Sequence, residues 1–144
     1  MFTHETTVTV KKPVQDVFKF IAVDYAQNHP KWDTRCISTE LTSKGPMAVG
    51  ATGKEVRNEM GKKTYTFQIT EFEANKKMAF KTTSGPAQFS SAFAFAPADG
   101  GTKVTIQSEM KFRGLMVLCG PMMSGSIRKQ MDAGATTMAE LAGK

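Results

Sequence analysis

The chain is short of nearly everything that advertises chemistry. It has two histidines, two cysteines, one tryptophan and four arginines in 144 residues. Cys36 and Cys119 lie far apart and in no CxxC or metal-spaced pattern, so two buried free thiols are expected rather than a redox or metal motif. His4 and His29 form no cluster in sequence, and neither a metal nor a cofactor is expected. There is no glycine-rich phosphate loop, no GxGxxG and no GxSxG, and no nucleophile has an evident base beside it. No apolar run approaches the roughly 18–20 residues of a membrane span, which excludes an integral membrane helix. The opening MFTHETTVTV lacks the basic start and apolar block of a secretory signal, so a cytoplasmic location is expected. No repeat, linker or low-complexity stretch divides the chain, and residues 1–144 read as one domain. A domain of this length buries about 68–70% of its unfolded surface and needs no disulfide or metal to be stable.

The net charge of +6 comes without an arginine-rich stripe. Lysines pair at turns (Lys11-Lys12, Lys62-Lys63, Lys76-Lys77), where solvation is the default role, so nucleic acid is not an expected partner. What the chain has in quantity is methionine, ten residues, and phenylalanine, also ten. Methionine is flexible and polarizable, which suits a surface that adapts to varied apolar shapes, although an ordinary core also tolerates it.

Residues 2–10 alternate as a first strand, and Pro13 opens a short helix over 13–22 with Val14, Val17, Phe18 and Ile21 as its stripe. A second short helix over 23–29 should end by Pro30, which leaves Trp32 and Asp33 in an exit loop. From 34 onward the period is two. Strands are expected over 35–42, 49–60, 63–73, 77–84, 87–96 and 102–113, joined by turns short enough to imply an antiparallel meander. After a break at 114–121, Met123, Ile127, Met131, Met138 and Leu141 recur at helical spacing on the final segment. One sheet face carries Tyr65, Phe67, Ile69, Met78, Phe80, Phe89, Phe93, Val104, Ile106, Met110 and Phe112, while the other is Thr, Lys and Gln. That alternation marks a sheet covered on one side only. It also argues against sheet-face RNA binding, which displays aromatics on the open face.

The order of elements and several local sequences resemble the START-like (SRPBCC) helix-grip superfamily, which includes polyketide cyclase/dehydrase and lipid-transport domains. Lys12-Pro13-Val14-Gln15-Asp16-Val17-Phe18-Lys19-Phe20-Ile21 is similar to its opening helix. Asn28-His29-Pro30-Lys31-Trp32-Asp33 resembles its Asn-x-Pro-x-Trp-Asp second-helix exit. Gly100-Gly101-Thr102-Lys103-Val104-Thr105 resembles its last hairpin, and Arg113-Gly114 through Gly120-Pro121-Met122 the approach to its final helix. The resemblance spans essentially the whole chain. It implies an α+β helix-grip fold: an antiparallel meander of about seven strands wrapped around a long C-terminal helix, with two short helices after strand one. It further implies an apolar cavity between sheet and helix. The superfamily shares no catalytic motif, so no active-site residue carries over.

The residues expected to line such a cavity are Trp32, Tyr65, Phe67, Phe80, Phe89 and Phe93 among the aromatics. Met110, Phe112, Met123, Ile127 and Met131 join them from the last strand and the helix, and Ser91 and Ser108 supply inward polar points. Asn58 and Met60 share a strand face with Val56 and are weaker lining candidates. Tyr65 is the one weak catalytic candidate, as a phenol that orients or protonates a ligand, or else a core tyrosine with a satisfied hydroxyl. His29 and Asp33 read as solvated rim residues, and His4 as exposed at a strand start. Gly134, mid-helix, marks either a close approach or a tolerated surface glycine. The expected function is binding of a hydrophobic small molecule (lipid, polyketide or aromatic) by a monomer or weak homodimer. The alternatives are a cyclase/dehydratase-type enzyme, or a protein-interaction domain whose cavity is packed shut.

Overall fold

The computed structural model describes residues 2–112 and 116–144, with side chains from Ser124 onward in the second stretch. Seven strands form one antiparallel sheet: β1 (Phe2–Val10), β2 (Cys36–Leu41), β3 (Thr52–Asn58), β4 (Lys62–Glu73), β5 (Lys77–Ser84), β6 (Ala87–Ala98) and β7 (Gly101–Phe112). Their spatial order is β1-β7-β6-β5-β4-β3-β2, a meander whose first strand returns to pair with the last. Between β1 and β2 lie α1 (Val14–Phe18), a π-helical segment (Lys19–Val23) and α2 (Tyr25–Trp32). The long α3 (Met116–Ala142) closes the inner face of the sheet. This is the helix-grip arrangement.

The alternating residues explain the sheet. Tyr65, Phe67 and Ile69 on β4, Met78 and Phe80 on β5, Phe93 and Phe95 on β6 and Val104 on β7 are all buried. All of these except Tyr65 form one core cluster with Val17, Phe18 and Ile21 from α1 and the π segment, and Met138 and Ala142 from α3. Bulges in β4 shift its register between Ile69 and Glu71, which brings Phe72 inward against Phe18 (ring centroids 5.3 Å apart).

Three expectations about local structure need correction. Pro30 does not end the second helix: α2 continues to Trp32, and the Asp33 N–H still bonds the His29 carbonyl at 3.2 Å. The proline costs that helix one hydrogen bond, and burial of Tyr25, Asn28, His29 and Trp32 outweighs it. The break at 114–121 is shorter than its glycines and proline suggest, because α3 already starts at Met116. In a helix of 27 residues one missing donor removes one bond among many. The third correction concerns β3. Its inner face carries Gly53, Glu55 and Arg57, while Asn58 is exposed and Met60 is 96% exposed in the turn that follows. Gly53 is required there, since a Cβ would fall 2.3 Å from the Phe67 ring. The Cys119 thiol and the Met123 side chain lie outside the described residues.

Candidate functional site

The inward parity of β3 places charge where an apolar lining was expected. Arg57 is the hub. Its Nη1 donates to Asp33 Oδ2 at 2.7 Å and to Glu55 Oε1 at 2.5 Å, its Nη2 donates to Asp33 Oδ1 at 3.3 Å, and its Nε donates to Glu59 Oε1 at 2.9 Å. Asp33 also sits 3.2 Å from His29 Nε2, one helical turn back along α2. The other imidazole nitrogen, Nδ1, lies 2.9 Å from Thr39 Oγ1 on β2 and 3.8 Å from Glu55 Oε1. Tyr25 stacks on the imidazole (centroids 4.7 Å apart, 15° between planes), and Trp32 meets it edge-on at 5.7 Å. His29 and Asp33 are therefore not a solvated rim pair. His29 is 7% exposed and Glu55 5%. Buried charge persists only when it is paired and hydrogen-bonded, and this cluster supplies both conditions.

The electrostatics follow from that pairing. Burial alone would pull the His29 imidazole down, but bonds to Asp33 and Cys36 and the nearby Glu55 charge push it up to about 9. Burial opposes ionisation of Asp33 as well, yet His29 and Arg57 hold its carboxyl well below the usual carboxylate range. Burial, then Glu55 and Asp33, push the Tyr25 phenol well above its ordinary value. For Tyr65 burial again leads, followed by the Glu59 carboxylate that its phenol bonds. At neutral pH the histidine is thus protonated with both nitrogens engaged, and both phenols keep their protons. A general base needs an unshared pair directed at its substrate, and this histidine offers none.

Beside the cluster opens a cavity of about 270 Å³ between the sheet and α3. One side of its lining is polar: Tyr25, His29, Asp33, Glu55, Arg57 and Tyr65. The opposite side is apolar, with Phe80, Phe89, Phe93, Met110, Ile127 and Met131 among its residues. Trp32 and Phe112 also border the space. Ser91 and Ser108, cross-strand partners whose hydroxyls hydrogen-bond each other at 2.8 Å, share the inner face of β6 and β7 with Phe89, Phe93 and Met110. Phe67 lies outside the lining: it is 1% exposed and packs behind, against Tyr25 and Phe80. Asn58 faces away, because the odd-numbered residues of β3 take the inner face, and Met60 lies exposed in the turn that follows the strand. Gly134 does mark a close approach, since a Cβ there would lie 3.3 Å from the Trp32 carbonyl oxygen. His4 is half-buried rather than free, bonded to Asp132 on α3 at 2.8 Å, while the Thr6 hydroxyl donates to the same carboxylate at 2.6 Å. Those bonds tie the edge strand to the closing helix.

Glu55 and Arg57 are the residues that sequence reasoning missed. Their signal was present in Glu55-x-Arg57-x-Glu59, charges of alternating sign at strand period, with His29 and Asp33 one helical turn apart. The fold also assembles a grouping that the sparse histidines did not suggest: donor atoms of His29, Cys36 and Glu55 lie within 4.8 Å of one another. In this arrangement those atoms are committed elsewhere, to Asp33 and Thr39, to Thr39 and the Ser38 carbonyl, and to Arg57. A metal would have to displace several bonds.

Residues 1–143 match the family model described as polyketide cyclase / dehydrase and lipid transport. The chain belongs to this family. Among solved structures it is similar to protein TTHA0849 from Thermus thermophilus (12% identity, TM-score 0.81, covering 97% of this chain and 96% of that one). It is similar as well to the Zhui aromatase/cyclase from a Streptomyces species (16% identity, TM-score 0.80, 97% and 92%). A START superfamily protein from Mycobacterium smegmatis aligns over 99% of this chain and 97% of that one (11% identity, TM-score 0.80). At these identities the likeness establishes the shared fold. No curated protein matches the sequence. Among the described residues, no helix is long and apolar enough to cross a membrane.

Proposed function

We propose that the chain acts as one ligand-binding domain over 1–144, holding a compact, ring-bearing hydrophobic molecule between the sheet and α3. The observation that carries this reading is the two-sided cavity, aromatic and methionine-lined on one side and hydrogen-bonding on the other. About 270 Å³ lies near the lower end of small-molecule pockets, roughly 300–1,000 Å³, and suits a ring system better than a long-chain lipid. Burial of apolar ligand area at about 25 cal/mol per Å² drives association, and the polar side sets orientation. The same reading has the protein working in the cytoplasm as a monomer or weak homodimer, without nucleic acid.

A catalytic reading of cyclase/dehydratase type draws on the family and on the likeness to an aromatase/cyclase. The state of His29 favours binding over turnover, because a protonated imidazole with both nitrogens engaged can neither accept a proton nor readily give one. Native mass spectrometry of the purified protein, with organic extraction of whatever co-purifies, tests the proposal. A near-stoichiometric aromatic or other apolar small molecule is the expected result, lost in Met131→Glu while circular dichroism is retained. A folded Met131→Glu variant that keeps its ligand contradicts the pocket assignment. Turnover of a bound polyketide that disappears in Tyr65→Phe, with binding unchanged, turns the conclusion to the enzyme.

A further inference from the structure

In the buried charge cluster on the polar side of the cavity the cations' donors are nearly all spent while a carboxylate acceptor remains, and this imbalance bears on which molecules the pocket accepts. An arginine has five N–H donors. Four of those on Arg57 are already used, by Asp33 twice and by Glu55 and Glu59 once each. Both nitrogens of His29 are engaged, with Asp33 and Thr39. The two cations therefore have almost nothing left to offer an incoming anion. The carboxylates are in the opposite position. Glu55 commits one oxygen to Arg57, and its other oxygen has no hydrogen-bond partner among the described residues. Among the described residues no side-chain oxygen or nitrogen that is wholly sealed from solvent lacks a partner, so this free oxygen borders open space, and Glu55 lines the cavity. The Tyr25 hydroxyl is in the same condition: no partner among the described residues, beside the same space. Three carboxylates (Asp33, Glu55, Glu59) face two cations, which leaves the buried cluster formally one negative charge in excess; Arg35, a further cation of the lining, is solvent-exposed and stands outside this cluster.

We propose, building on the ligand-binding reading, that Glu55 is the specificity-determining residue of this cavity, selecting ligands whose polar head donates a hydrogen bond and rejecting carboxylate heads. A phenol, alcohol or protonated amine gives Glu55 the donor it lacks. A carboxylate head brings like charge into a confined, poorly hydrated space and leaves Glu55 unpaired. Discrimination of this kind rests as much on the repulsion of the wrong head as on attraction of the right one. The apolar side of the cavity is indifferent to the head and supplies affinity to all.

Three probes that share one ring system and differ only in the head separate these effects: naphthol, aminomethylnaphthalene and naphthoate. Each is titrated into the full-length protein at pH 7 by isothermal calorimetry. Naphthol and aminomethylnaphthalene are expected to bind at least about tenfold more tightly than naphthoate, the ratio set by 1.4 kcal/mol. Which of the two binds better distinguishes a neutral donor from a cationic one. Glu55→Gln, which keeps shape and removes charge, is expected to shrink the gap to about threefold or less, mainly through a gain for naphthoate. Naphthoate binding the wild-type protein as tightly as naphthol overturns the selectivity and leaves the ligand-binding reading intact. An unchanged ratio in a folded Glu55→Gln variant removes the role from Glu55. Failure of all three probes to bind overturns the ligand-binding reading together with the selectivity. Should Glu55→Gln not fold, the ranking of the probes on the wild-type chain still decides.

Discussion

The two sides of the cavity are held in place by different physics. The side made by β5, β6, β7 and α3 is fixed by shape: Phe80, Phe93 and Met138 fill volume and ask nothing of their neighbours beyond contact. The side made by α2 and β3 is fixed by bonding, with His29, Asp33, Glu55, Arg57 and Glu59 each pinned by a partner of opposite charge. A shape-held wall can yield by tenths of an ångström to admit different apolar bodies. A bond-held wall cannot move without leaving a charge unpaired. On the proposed ligand-binding reading, affinity comes from the first wall, and orientation and discrimination from the second.

Breaking the hub of the bonded wall should produce the largest effect. Arg57→Met leaves Asp33, Glu55 and Glu59 without their shared cation, and a loss of about 3–5 kcal/mol is expected in urea unfolding. Adding Glu55→Met and Asp33→Asn should recover much of it, since removing an ion network costs far less than leaving half of one. On the apolar wall, Met138→Ala deletes a side chain with no exposed area, and a cost of about 3 kcal/mol is expected. A second truncation distant from it should simply add.

The two walls should also differ with pH. His29 is raised from 6.5 to about 9 in the folded protein, so it binds its proton more tightly folded than unfolded. Its contribution is complete below about pH 6.5, fades as pH rises toward 9 and is absent above, an expected loss of about 2–3 kcal/mol. Asp33 behaves in the mirror sense: its value is depressed, so its stabilisation holds at neutral pH and fails as pH falls below its ordinary 3.8. Urea midpoints between pH 6 and 10 check the first limb. His29→Gln should flatten that limb, whereas Met138→Ala should lower the whole profile without changing its form. The smallest effect is expected at Met60, outside both walls, where Met60→Ala should change stability by less than about 0.5 kcal/mol and leave ligand affinity unaltered.

The apolar wall was legible in the sequence because burial wrote itself as alternation. Phe89, Ser91 and Phe93 on β6, with Ser108, Met110 and Phe112 on β7, all fall at period two. Even the serines could be placed inward, because strand parity does not depend on residue type. Parity misled on β3 for the opposite reason. There both faces are polar, and the lone apolar Val56 pulls the assignment by one residue, which moves every side chain to the wrong side. The alternating charges of Glu55-x-Arg57-x-Glu59 mark one strand face, but do not by themselves say that this face is the inner one. Their burial depends on Asp33 and His29 arriving from a helix more than twenty residues away, and on Gly53 clearing room for Phe67. The same distance hid the tie between His4 and Asp132, which are 128 residues apart. Long-range polar pairing leaves no periodic trace in a sequence, whereas apolar packing does.

The central claim, that a small molecule with an apolar body sits between these two walls, is tested most directly by amide and side-chain chemical shifts during titration with naphthol. On this claim, saturable changes are expected to gather at Tyr25, Glu55, Phe89, Ser91, Ser108 and Met131, with the Glu55 and Tyr25 signals moving in step with those of the apolar wall. Shifts that fail to saturate, or that fall on the outward faces of β4 and β5 while these residues stay still, would contradict it.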